Sequence, residues 1–342
     1  MWNGKDHKFF TATGDADAEK LLSEVLTEMR NSLDGTGLCV VLGGSYGRGD
    51  GGVRLDRENG ILYNDLDFFV FARKKVPGAG NMLKNIARKY EHELKVDVDF
   101  SRIMTLKDIK NNAPRLMMQE LKRGYVHVCG EDLLIRHLPA LPAECLPFYE
   151  ACRLLVNRGM GLLFAGEKIV NNSDEADFIL RNIYKAILGA GDAMLISHGN
   201  YRWKIAERLD LIEKSDMPEN WKQLYREAVD FKHTPHRKLK PDMAAFWQSV
   251  RDFFQGAALN CTGAHKQSEL VENIFNRCRQ CGETSLMNYI KYGVKTRSFP
   301  LKGGLYYTMP AAAVMAGEVV AALNEMPQKI DEKLYQRWLI FN

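Results

Sequence analysis

Asn64-Asp65-Leu66-Asp67-Phe68-Phe69-Val70-Phe71 opens with two acids one residue apart and continues as an unbroken apolar run. Alternate side chains of a strand share a face, so Asp65 and Asp67 project together while Leu66, Phe68 and Val70 project the other way. The apolar run predicts a buried strand over Leu66–Phe71 rather than a solvated edge carrying two surface acids. Two carboxylates this close repel each other unless a cation sits between them. Upstream, Leu38-Cys39-Val40-Val41-Leu42 predicts a short buried strand. It runs into the glycine-rich turn Gly43-Gly44-Ser45-Tyr46-Gly47-Arg48-Gly49-Asp50-Gly51-Gly52. Such a turn can wrap phosphates with backbone N–H groups, and paired carboxylates can hold the Mg²⁺ that neutralises them.

Working outward, Leu21, Leu22, Val25, Leu26 and Met29 lie at helical spacing within Asp15–Leu33, and Asp34-Gly35-Thr36-Gly37 ends that helix. The polar stretch from Tyr46 to Asn64 is a loop or hairpin. A helix is expected over Met82–Leu94. Lys95-Val96-Asp97-Val98-Asp99-Phe100 alternates with period two, which predicts a third strand with Asp97 and Asp99 on one face. A half-exposed strand reads the same way, so these acids alone decide nothing. A further helix is expected over Ala113–Arg123, then a short edge strand over Tyr125–Cys129.

From about Pro139 the texture changes. Pro139, Pro142 and Pro147 mark a linker, and long helical patterns follow: Tyr149–Phe164, Asp174–Ser197, Trp203–Leu211, Trp221–Lys232, Met243–Gln255, Ser268–Asn276 and Ala311–Leu323. The fold class expected is α+β: a head over residues 1–140 and a mostly α-helical domain over 141–342.

The glycine turn lacks the Gly-Lys-Ser/Thr ending of the ATPase phosphate loop and the register of the dinucleotide fingerprint. Leu42-Gly43-Gly44-Ser45, then Asp65-Leu66-Asp67, then Val96-Asp97-Val98-Asp99-Phe100 resembles the nucleotidyltransferase superfamily that includes DNA polymerase beta, the aminoglycoside nucleotidyltransferases and the oligonucleotide synthases. The resemblance covers residues 35–135, about 30% of the chain. It implies a small mixed sheet flanked by helices in the head and an acceptor-side role for the helical domain. It implies that Gly43, Gly44 and Ser45 cradle the phosphates of an NTP such as ATP, with Arg48 as a further contact. Asp65 and Asp67 become catalytic ligands of two Mg²⁺. The third acid, also a metal ligand, is Asp97 or Asp99, with Asp99 slightly preferred. The implied activity is transfer of an NMP to a hydroxyl of a small molecule or protein, with release of pyrophosphate. Two alternatives stand beside it: synthesis of a nucleotide second messenger, and a catalytically inactive protein of the same fold that binds nucleotide or a partner. One departure is the long separation between Ser45 and Asp65, where the extra residues from Asp50 to Tyr63 can form a hairpin.

The bulk properties are compatible with this. The chain has 342 residues, 46% hydrophobic, with 47 basic and 43 acidic side chains and a formal charge of +4. That excess is too small to indicate nucleic acid by itself. No run approaches the roughly 18 apolar residues of a membrane span, so no membrane partner is expected. Met1–Lys8 lacks the apolar run of a signal peptide, and seven scattered cysteines fit reduced thiols, so a cytoplasmic location is expected. Cys261, His265, Cys278 and Cys281 have a spacing that could hold zinc, but the helical pattern through Ser268–Cys281 favours packing. Arg181 and Asp192 could face a cleft, although their helix reads mainly as core. The basic run Lys232–Lys240 could touch a phosphate, yet such runs are most often solvated loops.

Overall fold

The computed structural model describes residues 9–55, 60–300 and 304–341. Met1–Lys8, read above for a leader, and the tip of the Asp50–Tyr63 insertion lie outside them. The chain separates into two compact units: Met1–Leu141 with Asp230–His236, and Pro142–Val229 with Arg237–Asn342.

The head is built from α1 (Ala16–Leu33), β1 (Cys39–Leu42), a single helical turn α2 (Gly44–Gly47), β2 (Leu66–Phe71), α3 (Ala79–Leu94), β3 (Val98–Phe100), α4 (Leu106–Asn112), α5 (Leu116–Arg123), β4 (Val126–Cys129) and α6 (Leu133–His137). The strands form one mixed sheet in the order β3-β2-β1-β4. β1 is antiparallel to β2 and β4, while β2 is parallel to β3. The period-two pattern of β2 sorts its side chains as expected. Leu66, Phe68 and Val70 join Leu22, Leu26 and Leu83 in a core under α1 and α3. Phe69 and Phe71 join Val41, Ile109 and Leu121 in a second core under α4, α5 and α6. Both faces of β1 are therefore covered, which is why that strand is apolar at every position.

Two elements of the head begin three residues later than the sequence predicts. The third strand is only Val98–Phe100, because Lys95 adopts a left-handed conformation (φ 58°) that closes α3 just before it. The helix expected over Ala113–Arg123 starts only at Leu116, as α5, after Pro114, and α4, which ends at Asn112, had no counterpart among the expected elements. After β4 the chain forms the short helix Leu133–His137, capped by Asp132.

The insertion after the glycine turn is a hairpin. Val53 and Leu62 pair across it as an antiparallel bridge, and Arg54 N–H donates to Ile61 C=O at 2.8 Å. Its root is tied to α2 by Tyr46, whose side chain is fully buried. The Tyr46 hydroxyl donates to Gly52 C=O at 2.8 Å and accepts from the N–H groups of Tyr63 at 2.9 Å and Asn64 at 3.3 Å. Asn64 Oδ1 in turn accepts from Gly52 N–H at 2.7 Å. At the other end of the head, the fully buried Gln119 donates to Ala113 C=O and Pro139 C=O and accepts from Leu141 N–H at 2.8 Å. These bonds hold the start of the proline-marked linker.

The second unit contains α7 (Phe148–Val170), α8 (Ala176–Ser197), α9 (Ile205–Glu213), α10 (Glu219–His233, whose last turn belongs to the head), α11 (Met243–Thr262), α12 (Leu270–Gln280), α13 (Leu286–Thr296), α14 (Ala311–Ala322) and α15 (Glu332–Phe341). α7 packs along α8, and α11 and α14 pack against α7. Trp247 anchors this core, fully buried and donating to Leu162 C=O at 2.8 Å. α7 follows Pro147, which offers no side-chain cap, so Glu283 supplies one by accepting from Phe148 and Tyr149 N–H at 2.6 and 3.0 Å. α13 and α15 had no counterpart among the expected helices. Among the described residues no helix is long and apolar enough to cross a membrane.

Replacing Tyr46 by Phe removes three hydrogen bonds and leaves the buried Tyr63 N–H and Gly52 C=O only their mutual 3.3 Å bond, at a cost of about 1–3 kcal/mol. The Tyr46→Phe protein is expected to unfold at lower denaturant concentration and to lose hydrogen-exchange protection at the Tyr63 and Asn64 amides. Unchanged protection there would contradict this account of the hairpin.

Candidate functional site

The topology of the sheet brings the two sequence motifs together. Because β1 and β2 are antiparallel, the turn leaving β1 lies beside the start of β2, and Gly43 N–H donates to Asp67 C=O at 2.8 Å. Gly44 has φ +60°, and a Cβ on it would stand 2.1 Å from Asp67 Oδ2. Only glycine fits there, on both counts. A Cβ on Gly43 would stand 2.6 Å from the Phe69 ring. Gly43 and Gly44, two of the three residues assigned to phosphates, thus lie against Asp67, one of the two acids assigned to metal.

The parallel pairing of β2 and β3 adds the third acid. Asp67 is the register partner of Asp99, as Leu66 is of Val98. One step earlier, Leu66 N–H donates to Asp97 C=O at 2.9 Å. Asp65, Asp67, Asp97 and Asp99 therefore alternate with inward apolar residues on one face of two neighbouring strands. Asp65 and Asp67 are half-buried, whereas Asp97 and Asp99 are exposed. Partial burial raises the proton affinity of Asp99, and the Asp65, Asp97 and Glu91 carboxylates raise it further. Of the two acids left open by the sequence, Asp99 is the one aligned with Asp67. The arrangement is a cradle in backbone terms, with two half-buried carboxylates able to ligate Mg²⁺ alongside substrate oxygens. Among the described residues, however, no three His, Cys, Asp or Glu side chains converge as a ready-made metal cluster.

Ser45 lies in α2, where its carbonyl accepts from Asp50 N–H at 2.9 Å. Arg48, suggested as a phosphate contact, forms an ion pair with Glu120 at 3.3 Å and packs on Gly124. The basic run divides. Lys232 is mostly buried and stands 3.5 Å from Asp50 Oδ2, in the segment Asp230–His236 that folds with the head. His233 C=O accepts from Val53 N–H, and burial together with Lys232 lowers the His233 pKa. Arg237 and Lys238 are exposed, while Lys240 pairs with Glu227 at 2.7 Å. A cation is thus held one ion pair from the end of the glycine turn. Sequence reading could not place Lys232 there, because it lies far from the turn along the chain. Tyr46 was also missed as an anchor. Its signal is a lone aromatic inside a glycine-rich run.

The other candidates resolve structurally. Asp192 accepts from the Tyr225 hydroxyl at 3.0 Å and stands 2.8 Å from Arg208, whose guanidinium lies over the Tyr201 ring. Arg181 pairs with Asp177 at 3.6 Å. Cys261 and Cys278 are buried, and burial pushes the Cys261 thiol up to about 12, so it is a packing thiol rather than a ready thiolate. Cys281 and His265 are exposed. On α12, Leu270, Ile274 and Cys278 face inward, while Val271 is 40% exposed.

The Gly44→Ala variant should lose any activity of this site by more than about tenfold, because a displacement on the order of 1 Å is enough for that. Far-ultraviolet circular dichroism checks that the fold survives, and a Gly44→Ala protein as active as the parent would show that the close approach to Asp67 is unimportant. No family model matches the chain, and no curated relative matches it.

Proposed function

We propose that the head is a Mg²⁺-dependent nucleotidyltransferase that moves an NMP from an NTP to a hydroxyl. One observation carries the reading: Gly44 contacts Asp67, and Asp67 is the register partner of Asp99. A phosphate-binding turn, a metal-binding acid and a basic carboxylate are the three parts such a reaction needs, and they adjoin here.

In this reading the N–H groups of the Gly44-Ser45 turn, which have no partners inside so short a helix, bind the phosphates. Asp65 and Asp67 would hold Mg²⁺, which when bound supplies positive charge against the triphosphate. Asp99 accepts the proton of the acceptor hydroxyl, aided by its raised proton affinity. The acceptor oxygen attacks the α-phosphorus in line, the bond from that phosphorus to the bridging oxygen breaks, and pyrophosphate leaves with the bonding electron pair. Lys232, fixed near the turn by Asp50, offers charge to the departing phosphates.

One observation favours the second reading, nucleotide binding without transfer: among the described residues the acids do not converge as a metal cluster. Incubation with each NTP, Mg²⁺ and a cell metabolite extract separates the two. Pyrophosphate and a nucleotidylated product are expected, and NTP binding with no pyrophosphate would select the inactive reading. A linked nucleotide formed from NTPs alone would identify a second-messenger synthase. Asp65→Asn and Asp67→Asn should each reduce product formation by about a hundredfold or more with the fold intact, since each removes a carboxylate that would hold the Mg²⁺ facing the reacting phosphates. Retained turnover in either would sink the assignment of that acid.

A further inference from the structure

A groove of about 420 Å³ runs between α3 and the edge strand β3, wholly within the head. That volume suits a small-molecule site. Its floor is apolar, from Leu83, Ala87, Val98 and Ile103. Lys84 and Arg88 rise from the α3 wall, and Arg102 stands on the opposite wall, held by Asp108 at 2.7 Å. Asp99 lines the same groove.

Glu91 of α3 lines the groove as well, its Oε1 accepting from Val98 N–H at 3.4 Å. Lys89, which points toward α1, is ion-paired with Glu28 at 3.0 Å. Lys84 and Arg88 are four residues apart, so they share a helix face, and like charges at that spacing weaken a helix. Among the described residues neither has an ion-pair partner, and both are exposed at the groove. The helix thus carries two cations without ion-pair partners among the described residues over an apolar floor, with Glu91 and the carboxylate assigned to accept the proton in the transfer reaction lining the same groove.

We propose that this groove binds the acceptor of the nucleotidyl transfer, a small molecule carrying a hydroxyl and an anionic group, phosphate or carboxylate. Lys84 and Arg88 take the anionic group, the carbon skeleton lies on Leu83 and Ala87, and the hydroxyl faces Asp99. The inference rests on the reading of the preceding subsection and deepens it. It places acceptor recognition on the head, whereas the resemblance places it on the helical domain.

Binding to the full-length protein tests it, with glycerol 3-phosphate and glycerate as probes and glycerol as the uncharged control, followed by ligand-observed nuclear magnetic resonance. One or both anions should bind saturably and glycerol should not, and which anion binds distinguishes phosphate from carboxylate recognition. The exposed double variant Lys84→Ala/Arg88→Ala should bind that anion at least about tenfold more weakly, the loss expected for removing charge-assisted contacts. ATP affinity, measured by calorimetry in parallel, should not change. Saturable binding of neither anion, or equal binding by the double variant, would overturn the groove as a site. Failure of the transfer reading has its own signature: anion binding that depends on Lys84 and Arg88 while the parent protein releases no pyrophosphate from any NTP with metabolite extract. That outcome overturns the acceptor role.

Discussion

The hydrogen bond from Gly43 N–H to Asp67 C=O is the constraint on which the head depends. It ends the β1–β2 ladder and forces the chain to turn directly over the first residues of β2. A turn so close leaves no room for a side chain at Gly43 or Gly44, because Phe69 and Asp67 already occupy the space. Carboxylates clustered on one face are unfavourable alone. Here they adjoin the first N–H groups of a helical turn, whose partial positive charge offsets some of that cost. The local chemistry therefore follows from strand polarity. With β1 parallel to β2, the turn would have left at the opposite end.

Much of this was legible in the sequence because it is written in short-range patterns. The period-two alternation of Leu66–Phe71 fixed which side chains enter the core under α1 and α3, and the strand bounds agree. The register of Asp67 with Asp99 was not legible, since pairing between β2 and β3 depends on how α3 returns the chain. The same holds for Glu283. Nothing in its neighbourhood announces a cap for α7, a helix that begins far upstream in the chain. α13 carries Leu286, Ile290 and Val294 at helical spacing, yet all three are exposed, so its apolar side is not the one the core buries. Pro114 disfavours helix at the residue before it, and α5 accordingly starts beyond it at Leu116 rather than at Ala113.

The long stretch between the turn and the acids shows how a loop can be held at its root. Its strands bridge at Val53 and Leu62, and its root closes on the Tyr46 hydroxyl. The two ends, Gly52 and Asn64, are bonded directly to each other. The spacing of Ser45 and Asp65 is therefore set at the root, whatever the length of chain beyond it. Closure of a longer loop costs entropy that grows only slowly with length. A few buried bonds at the root suffice to fix it.

The segment Asp230–His236 has a different consequence. It is separated from the rest of the head by the long helical stretch from Pro142 to Val229, yet its backbone bonds Val53 and its Lys232 pairs with Asp50. The head is thus discontinuous along the chain. Ribosomal synthesis delivers the sheet and its flanking helices well before the residues that brace the hairpin root. During that interval the root of the insertion lacks Lys232 and His233, and a fragment ending at Leu141 would keep that incomplete state permanently. Completion of the head is a late, high-contact-order event in folding, conditional on the emergence of α10.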